Sequence, residues 1–172
     1  VSAFTVTETQ YAAGPALGPV GTQVVYVTGG FRSSQLFVVD HATVLNNTGG
    51  EGAGNYGPAC DIFVVRLNGA DGSVDWATSL GGIGDDYATS SAIDGDSGDL
   101  FVAGAFSSPT MNVTLQDGTT ATLACEGYVD IWVARLAGAS GEVVWARRFG
   151  AGHLDEAKAL ATNAGGDLFM AG

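Results

Sequence analysis

Residues 61–82, DIFVVRLNGADGSVDWATSLGG, return at 130–151 as DIWVARLAGASGEVVWARRFGA, and this internal repeat constrains the fold more than any other feature of the chain. Asp61 to Asp130, Trp76 to Trp145 and Gly81 to Gly150 are each separated by 69 positions. One residue is then lost, and GDLFVAG (98–104) returns as GDLFMAG (166–172). VVYVTGGF (24–31) is a weaker echo of LFVAGAF (100–106). The chain therefore divides into a partial unit over 1–30, a unit over 31–104 with a long inserted loop, and a unit over 105–172 with a hairpin insert. Repeats of this kind are supersecondary modules that bury their apolar faces only against neighbours.

Each unit is expected to be all β. IFVVRL is a short apolar run, as a strand covered on both faces requires. Asn68-Gly69-Ala70-Asp71-Gly72 reads as a turn, and Val74, Trp76 and Leu80 mark a second strand. Gly81 to Asp85 turns into YATSSAI (87–93), and DGDSGD turns into LFVAGAF. The spacing predicts four consecutive antiparallel strands forming one blade-like meander. LDEAKALA (154–161) has helical composition, but it aligns with YATSSAI and is expected to be a strand. In the second insert, MNVTLQDGTTATLA (111–124) alternates around Asp117-Gly118, a hairpin signal. The first insert, 34–60, is longer and is expected to end as an exposed Gly-rich loop. The 27 glycines and the low charged fraction of 14% agree with short strands and tight turns.

DIFVVRLNGADGSVDWATSLGGIGDDYATSSAIDGDSGDLFVAGAFSS resembles the SBBP, or seven-bladed β-propeller, repeat. The shared pattern runs from an Asp-led strand through Leu-Asn-x-x-Gly and Trp to Gly-Gly-x-x-x-Asp. A strand of small residues and Gly-Asp-Leu-Phe-Val-x-Gly complete it. The match is close over 61–108 and good over 130–172; before that it is limited to VVYVTGGF. His153-Leu154-Asp155 departs from Gly84-Asp85-Asp86, and both inserts exceed the plain repeat. The resemblance implies propeller blades in an extracellular or surface-exposed module with no common catalytic activity. Two to three units do not close a propeller, which takes about four to eight blades, so the sequence is expected to be part of a longer polypeptide.

The formal charge of −12, with only six Lys and Arg, argues against a nucleic-acid partner and against anionic lipid. No segment approaches the ~20 apolar residues of a helical membrane span. Asp94, Asp96 and Asp99 are the candidate metal ligands, with calcium as the cation that carboxylate oxygens favour; a plain turn is the competing reading. Asp86 and Asp155 are expected to hydrogen-bond backbone donors between blades. Gly95-Asp96-Ser97-Gly98 is similar to a chymotrypsin-like nucleophile loop. Asp99 stands where a further Gly belongs, however, and His41 has no matching context, so no triad is expected. Trp76, Trp132 and Trp145 fall at strand positions and are expected in the core.

Cys60 and Cys125 fit no zinc pattern and are either a disulfide, adding about 4 kcal/mol by loop-closure entropy, or two buried thiols. Asn46-Asn47-Thr48 and Asn112-Val113-Thr114 are sequons in the two inserts, where exposure is expected, so Asn46 and Asn112 are the candidate glycosylation sites. The expectation from all of this is a non-enzymatic, extracellular, structural or adhesive propeller segment. Its partners would be proteins or further copies meeting through blade faces and edges, with glycans on the loops. A calcium- or carbohydrate-binding module and an accessory domain of a secreted hydrolase are the alternatives.

Overall fold

A computed structural model describes residues 10–17, 24–38, 43–49 and 58–172, and their regular structure is entirely β. Among the described residues no helix is long and apolar enough to cross a membrane. The first sheet contains β1 (Gln10–Leu17), β2 (Val24–Phe31), β5 (Asp61–Asn68) and β6 (Val74–Leu80), antiparallel throughout and in that spatial order. Between β2 and β5 the chain makes a separate hairpin of β3 (Gln35–Val38) and β4 (Thr43–Asn46). The second sheet repeats the plan with β7 (Asp86–Ile93), β8 (Leu100–Phe106), β11 (Asp130–Leu136) and β12 (Val143–Phe149). Its inserted hairpin is β9 (Thr110–Thr114) and β10 (Thr120–Ala124), and a last hairpin, β13 (Ala159–Thr162) and β14 (Leu168–Ala171), follows. The register repeats as well, since Phe31 lies opposite Asp61 and Phe106 opposite Asp130.

Local sequence explains the turns. Gly72 and Gly141, 69 positions apart, close the β5–β6 and β11–β12 connections with φ of 75° and 76°, values that glycine adopts without a Cβ clash. Asp117-Gly118 closes the β9–β10 hairpin as its alternation predicts, with Gly118 at φ 81°. LDEAKALA is non-helical, and its strand is confined to the last residues, from Ala159. The Gly-rich stretch expected after β4 falls mostly outside the described residues.

One expectation is corrected. The four strands between residues 61 and 106 do not form one meander: β5 and β6 complete the first sheet, whereas β7 and β8 open the second. The units 31–104 and 105–172 consequently each contain strands of three sheets, counting the two-stranded hairpins. The cause lies in the β6–β7 connection. The Asp86 carboxylate accepts hydrogen bonds from Gly82 N at 2.8 Å, from Ser108 Oγ at 2.6 Å and from the backbone N–H groups of Ser107 and Ser108 at 3.2 Å. These contacts hold the start of β7 against the end of β8 rather than along β6.

Both faces of each sheet are apolar, and alternation sorts the side chains into layers. Ile62 and Val64 of β5, with Tyr26 of β2, meet Leu100, Val102, Phe106, Trp132, Ala134 and Leu136 of the second sheet. Met111, Val113 and Leu123 of the β9–β10 hairpin enter the same layer. Phe63 and Val65 point the other way and pack with Phe31, Leu36, Val38 and Leu45, so the β3–β4 hairpin covers that face. On the far side of the second sheet, Val133, Ala103 and Trp145 pack with Leu160, Leu168 and Met170 of the last hairpin. Trp132 is fully buried, and Trp76 and Trp145 are partly buried against these layers, which is the core placement their sequence positions predict. A polar tie crosses between the sheets, the Gly138 carbonyl accepting from Trp76 Nε1 at 3.0 Å, while within the second sheet Trp132 Nε1 donates to Tyr87 O at 3.1 Å.

Candidate functional site

The acidic turn after β7 is tied together by its own hydrogen bonds and to Arg135. Asp94 accepts from Ser97 Oγ at 2.8 Å and from Asp96 N at 3.1 Å, and these bonds hold its carboxyl below the ordinary value. Arg135, projecting from β11, pairs with Asp99 through Nε at 2.8 Å and with Asp94 through a terminal nitrogen at 3.5 Å. The guanidinium stacks 5.6 Å from the Phe101 ring. The same turn is sewn to the next one by Gly138 N, which donates to Asp99 Oδ1 at 3.0 Å. Asp94 and Asp99 therefore hold the turn and an ion pair, Asp96 joins through its backbone N–H, and among the described residues no three His, Cys, Asp or Glu side chains are placed to hold a metal ion. The sequence offered no sign of this, because Arg135 stands 36 positions beyond Asp99 and reaches it only through the β8–β11 pairing.

Asp86 and Asp155 do bind backbone donors. Ala151 N donates to Asp155 Oδ2 at 2.9 Å, repeating the Gly82–Asp86 contact 69 positions earlier. Cys60 and Cys125 are both free thiols, so the disulfide alternative is not realised. Cys60 is buried at the entry to β5, with Gly30 leaving room for its sulfur. Cys125 follows β10 and approaches the carbonyls of Phe106 and Gly127. Burial pushes the Cys60 thiol up to about 12. Only the thiolate reacts fast with disulfide reagents. Ellman's reagent is therefore expected to titrate Cys125 rapidly in the folded protein and Cys60 only on unfolding; two fast thiols, or none before reduction, would contradict this.

The sequons lie in matching hairpins, on β4 and β9, and both asparagines are exposed. Asn46 Oδ1 accepts from Gln35 Nε2 at 3.1 Å, and Asn112 Oδ1 accepts from Thr122 Oγ1 at 3.0 Å. His41 lies outside the described residues.

The feature that sequence reasoning missed is Asp61. This carboxylate, only 1% exposed, opens β5. Thr48 donates to its Oδ2 through the backbone N–H at 2.6 Å and through Oγ1 at 2.9 Å. Oδ1 is buried without a hydrogen-bond partner, and a Cβ on Gly81 would collide with it. Burial raises the Asp61 pKa, with the Thr48 bonds opposing that rise. Asp61 lines a groove of 470 Å³ along edge strand β6, facing the β9–β10 hairpin and the turn before β12. The wall mixes hydroxyl, amide and carboxylate side chains, including Ser79, Asn112 and Glu142, with apolar Leu80, Leu115 and Val143.

No family model and no curated protein matches the chain. The reading of its role consequently rests on the repeat and on the geometry.

Proposed function

We propose that the chain is a non-catalytic, extracellular structural or adhesive segment of a β-propeller-like array of the SBBP repeat kind. Its sheets are blades, and its open faces are covered by further units of the same type. The observation that carries this reading is the pair of strands with nearly the same sequence. GDLFVAG places β8 between β7 and β11, and there Phe101 is 4% exposed. GDLFMAG places β14 beside β13 alone, and there Phe169 is 58% exposed. The shared sequence is one shaped for a central strand covered on both faces.

Further features agree. Of the first strands of successive sheets, β7 lies against both β1 and β13, as the innermost strands of adjacent blades would. Thr89 Oγ1 donates to Ala157 O at 2.6 Å, and Thr162 Oγ1 donates to Ile93 O at 2.7 Å, so the last hairpin docks on β7 through specific bonds. The two exposed sequons suit glycan display at the rim. The calcium alternative is weakened because Asp99 and Asp94 already share an ion pair with Arg135.

Static light scattering across a concentration series tests the proposal. The chain is expected to self-associate through the β14 face, and Phe169→Lys is expected to shift it to monomer while its β-sheet circular dichroism is unchanged. A well-folded wild-type chain that stays monomeric at every concentration would sink the assembly reading.

A further inference from the structure

The two copies of the repeat treat the same buried carboxylate differently. Asp130, which matches Asp61, is fully buried and has a cation: Arg148 on β12 reaches its Oδ2 at 2.9 Å and also pairs with Glu126 at 2.7 Å. The position matching Arg148 on β6 is Ser79, 69 residues earlier, and Thr78 likewise matches Arg147. The cross-strand register agrees, since Trp132 lies opposite Arg148 as Phe63 lies opposite Ser79. Among the described residues Asp61 has no ion-pair partner, and the groove of 470 Å³ opens beside Ser79. Oδ1 is buried and unbonded in both aspartates, so what distinguishes them is the cation.

We propose that this groove binds a guanidinium or ammonium group carried by a ligand, which does for Asp61 what Arg148 does for Asp130. Burying a carboxylate without a counter-ion is costly even where neutral hydrogen bonds such as those from Thr48 hold it, and a charge-assisted hydrogen bond is the strongest compensation open to it. The lining provides what a cation needs. It contains two carboxylates, Asp61 and Glu142, with Thr48, Ser79, Asn112 and Ser140 as neutral oxygen donors, and no basic residue. The net charge of −12 draws cations toward such a groove and lengthens the stay of one that enters it. The groove also follows β6, the outermost strand of its sheet, over Ala77 to Gly81. An arginine or lysine in an extended segment laid along that edge would pair its backbone while the side chain reaches Asp61. The inference does not depend on whether the sheets assemble.

The test is calorimetric titration of the full chain, made without glycans so that Asn112 is bare. Two probes are used: L-argininamide and the capped pentapeptide Val-Thr-Arg-Thr-Val, each beside its citrulline counterpart. Citrulline keeps the shape of arginine and removes the charge. The arginine probes are expected to bind at least about tenfold more tightly than the citrulline ones, a difference of about 1.4 kcal/mol. Ser79→Arg, which supplies the cation internally, is expected to weaken both arginine probes by at least about tenfold and to raise the Tm. Asp61→Asn is expected to abolish the charge preference, and Ser79→Arg keeps the test decisive should Asp61→Asn fail to fold. Equal affinity for the two probes would assign the site to a free guanidinium compound, and much tighter peptide binding would assign it to a strand-borne side chain. Absence of binding by both arginine probes, equal binding of the citrulline forms, or undiminished binding to folded Ser79→Arg would overturn the proposal.

Discussion

Trp132→Ala is expected to lower the unfolding free energy by about 3–5 kcal/mol, a large share of the 5–15 kcal/mol typical of a domain. Trp132 is fully buried in the layer between the two sheets, where it packs with Ile62 and Val64 of the first sheet and Leu100 and Val102 of the second. Its cross-strand neighbour on β8 is Gly104, where a Cβ would collide with the same Tyr87 carbonyl that the indole binds. Truncation opens a cavity in a layer that two hydrogen-bonded sheets cannot easily close, because each is also packed on its other face. It also strips the Tyr87 carbonyl of the indole donor at 3.1 Å, and an unsatisfied buried acceptor costs about 1–3 kcal/mol. Trp132→Phe installs the residue that the other copy has at this position, Phe63, and is expected to cost about 1–2 kcal/mol, chiefly the lost donor. Urea unfolding followed by circular dichroism checks both variants. A loss below about 1 kcal/mol for Trp132→Ala would mean that the two sheets are not held together by this layer.

That experiment bears on how much of the fold could be read from the sequence. The period of 69 residues, the strands and the Asp117-Gly118 hairpin are local properties of spacing and composition, and they are visible without coordinates. The phase of the repeat is not. Self-similarity fixes how often a unit returns but not which strand begins a sheet, and a four-strand sheet starting at β5 satisfies the same spacing as one starting at β1. The choice is made by Asp86, which gathers donors from Gly82 on one side and from Ser107 and Ser108 about two dozen residues away. The site residues follow the same division. Asp94, Asp96 and Asp99 stand out in the sequence because acids next to glycine suggest a cation loop, yet Arg135 reaches them only once β11 pairs with β8. Asp61 drew no notice because one aspartate at the head of an apolar strand has no local signature. The aligned copies did contain a signal, Ser79 against Arg148, but it carries meaning only when the register places those residues next to the strand that bears the aspartate.

Stability is expected to fall, not rise, as the pH is taken from about 5 to about 8. Asp86 is fully buried, and desolvation pushes its pKa from 3.8 up to about 6 despite the hydrogen bonds from Ser108 and Gly82 that favour the carboxylate. The folded chain therefore holds this proton more tightly than the unfolded chain does. The stabilisation linked to it is complete below pH 3.8, and it is lost as the pH rises through about 6. The difference corresponds to an upper limit of about 3 kcal/mol. Asp61, also raised by burial, acts in the same direction. Asp94, Asp71 and Asp117 are lowered, chiefly by hydrogen bonds from the Ser or Thr of their own turns, so their contribution is present above pH 3.8 and is lost on acidification. The two groups of carboxylates together place the stability maximum near pH 4 rather than at neutrality. Asp86→Asn removes the largest of the opposing titrations, so its unfolding free energy is expected to vary much less between pH 5 and 8. Its absolute stability is expected to be lower, because one amide oxygen cannot accept all the bonds that two carboxylate oxygens do, which leaves the Gly82 N–H or the Ser108 hydroxyl proton without an acceptor. Urea midpoints across that pH range, wild type against Asp86→Asn, decide the matter. A wild-type midpoint that climbs from pH 5 to 8, or a variant that keeps the wild-type slope, would show that Asp86 is not the group that sets the pH dependence of the fold.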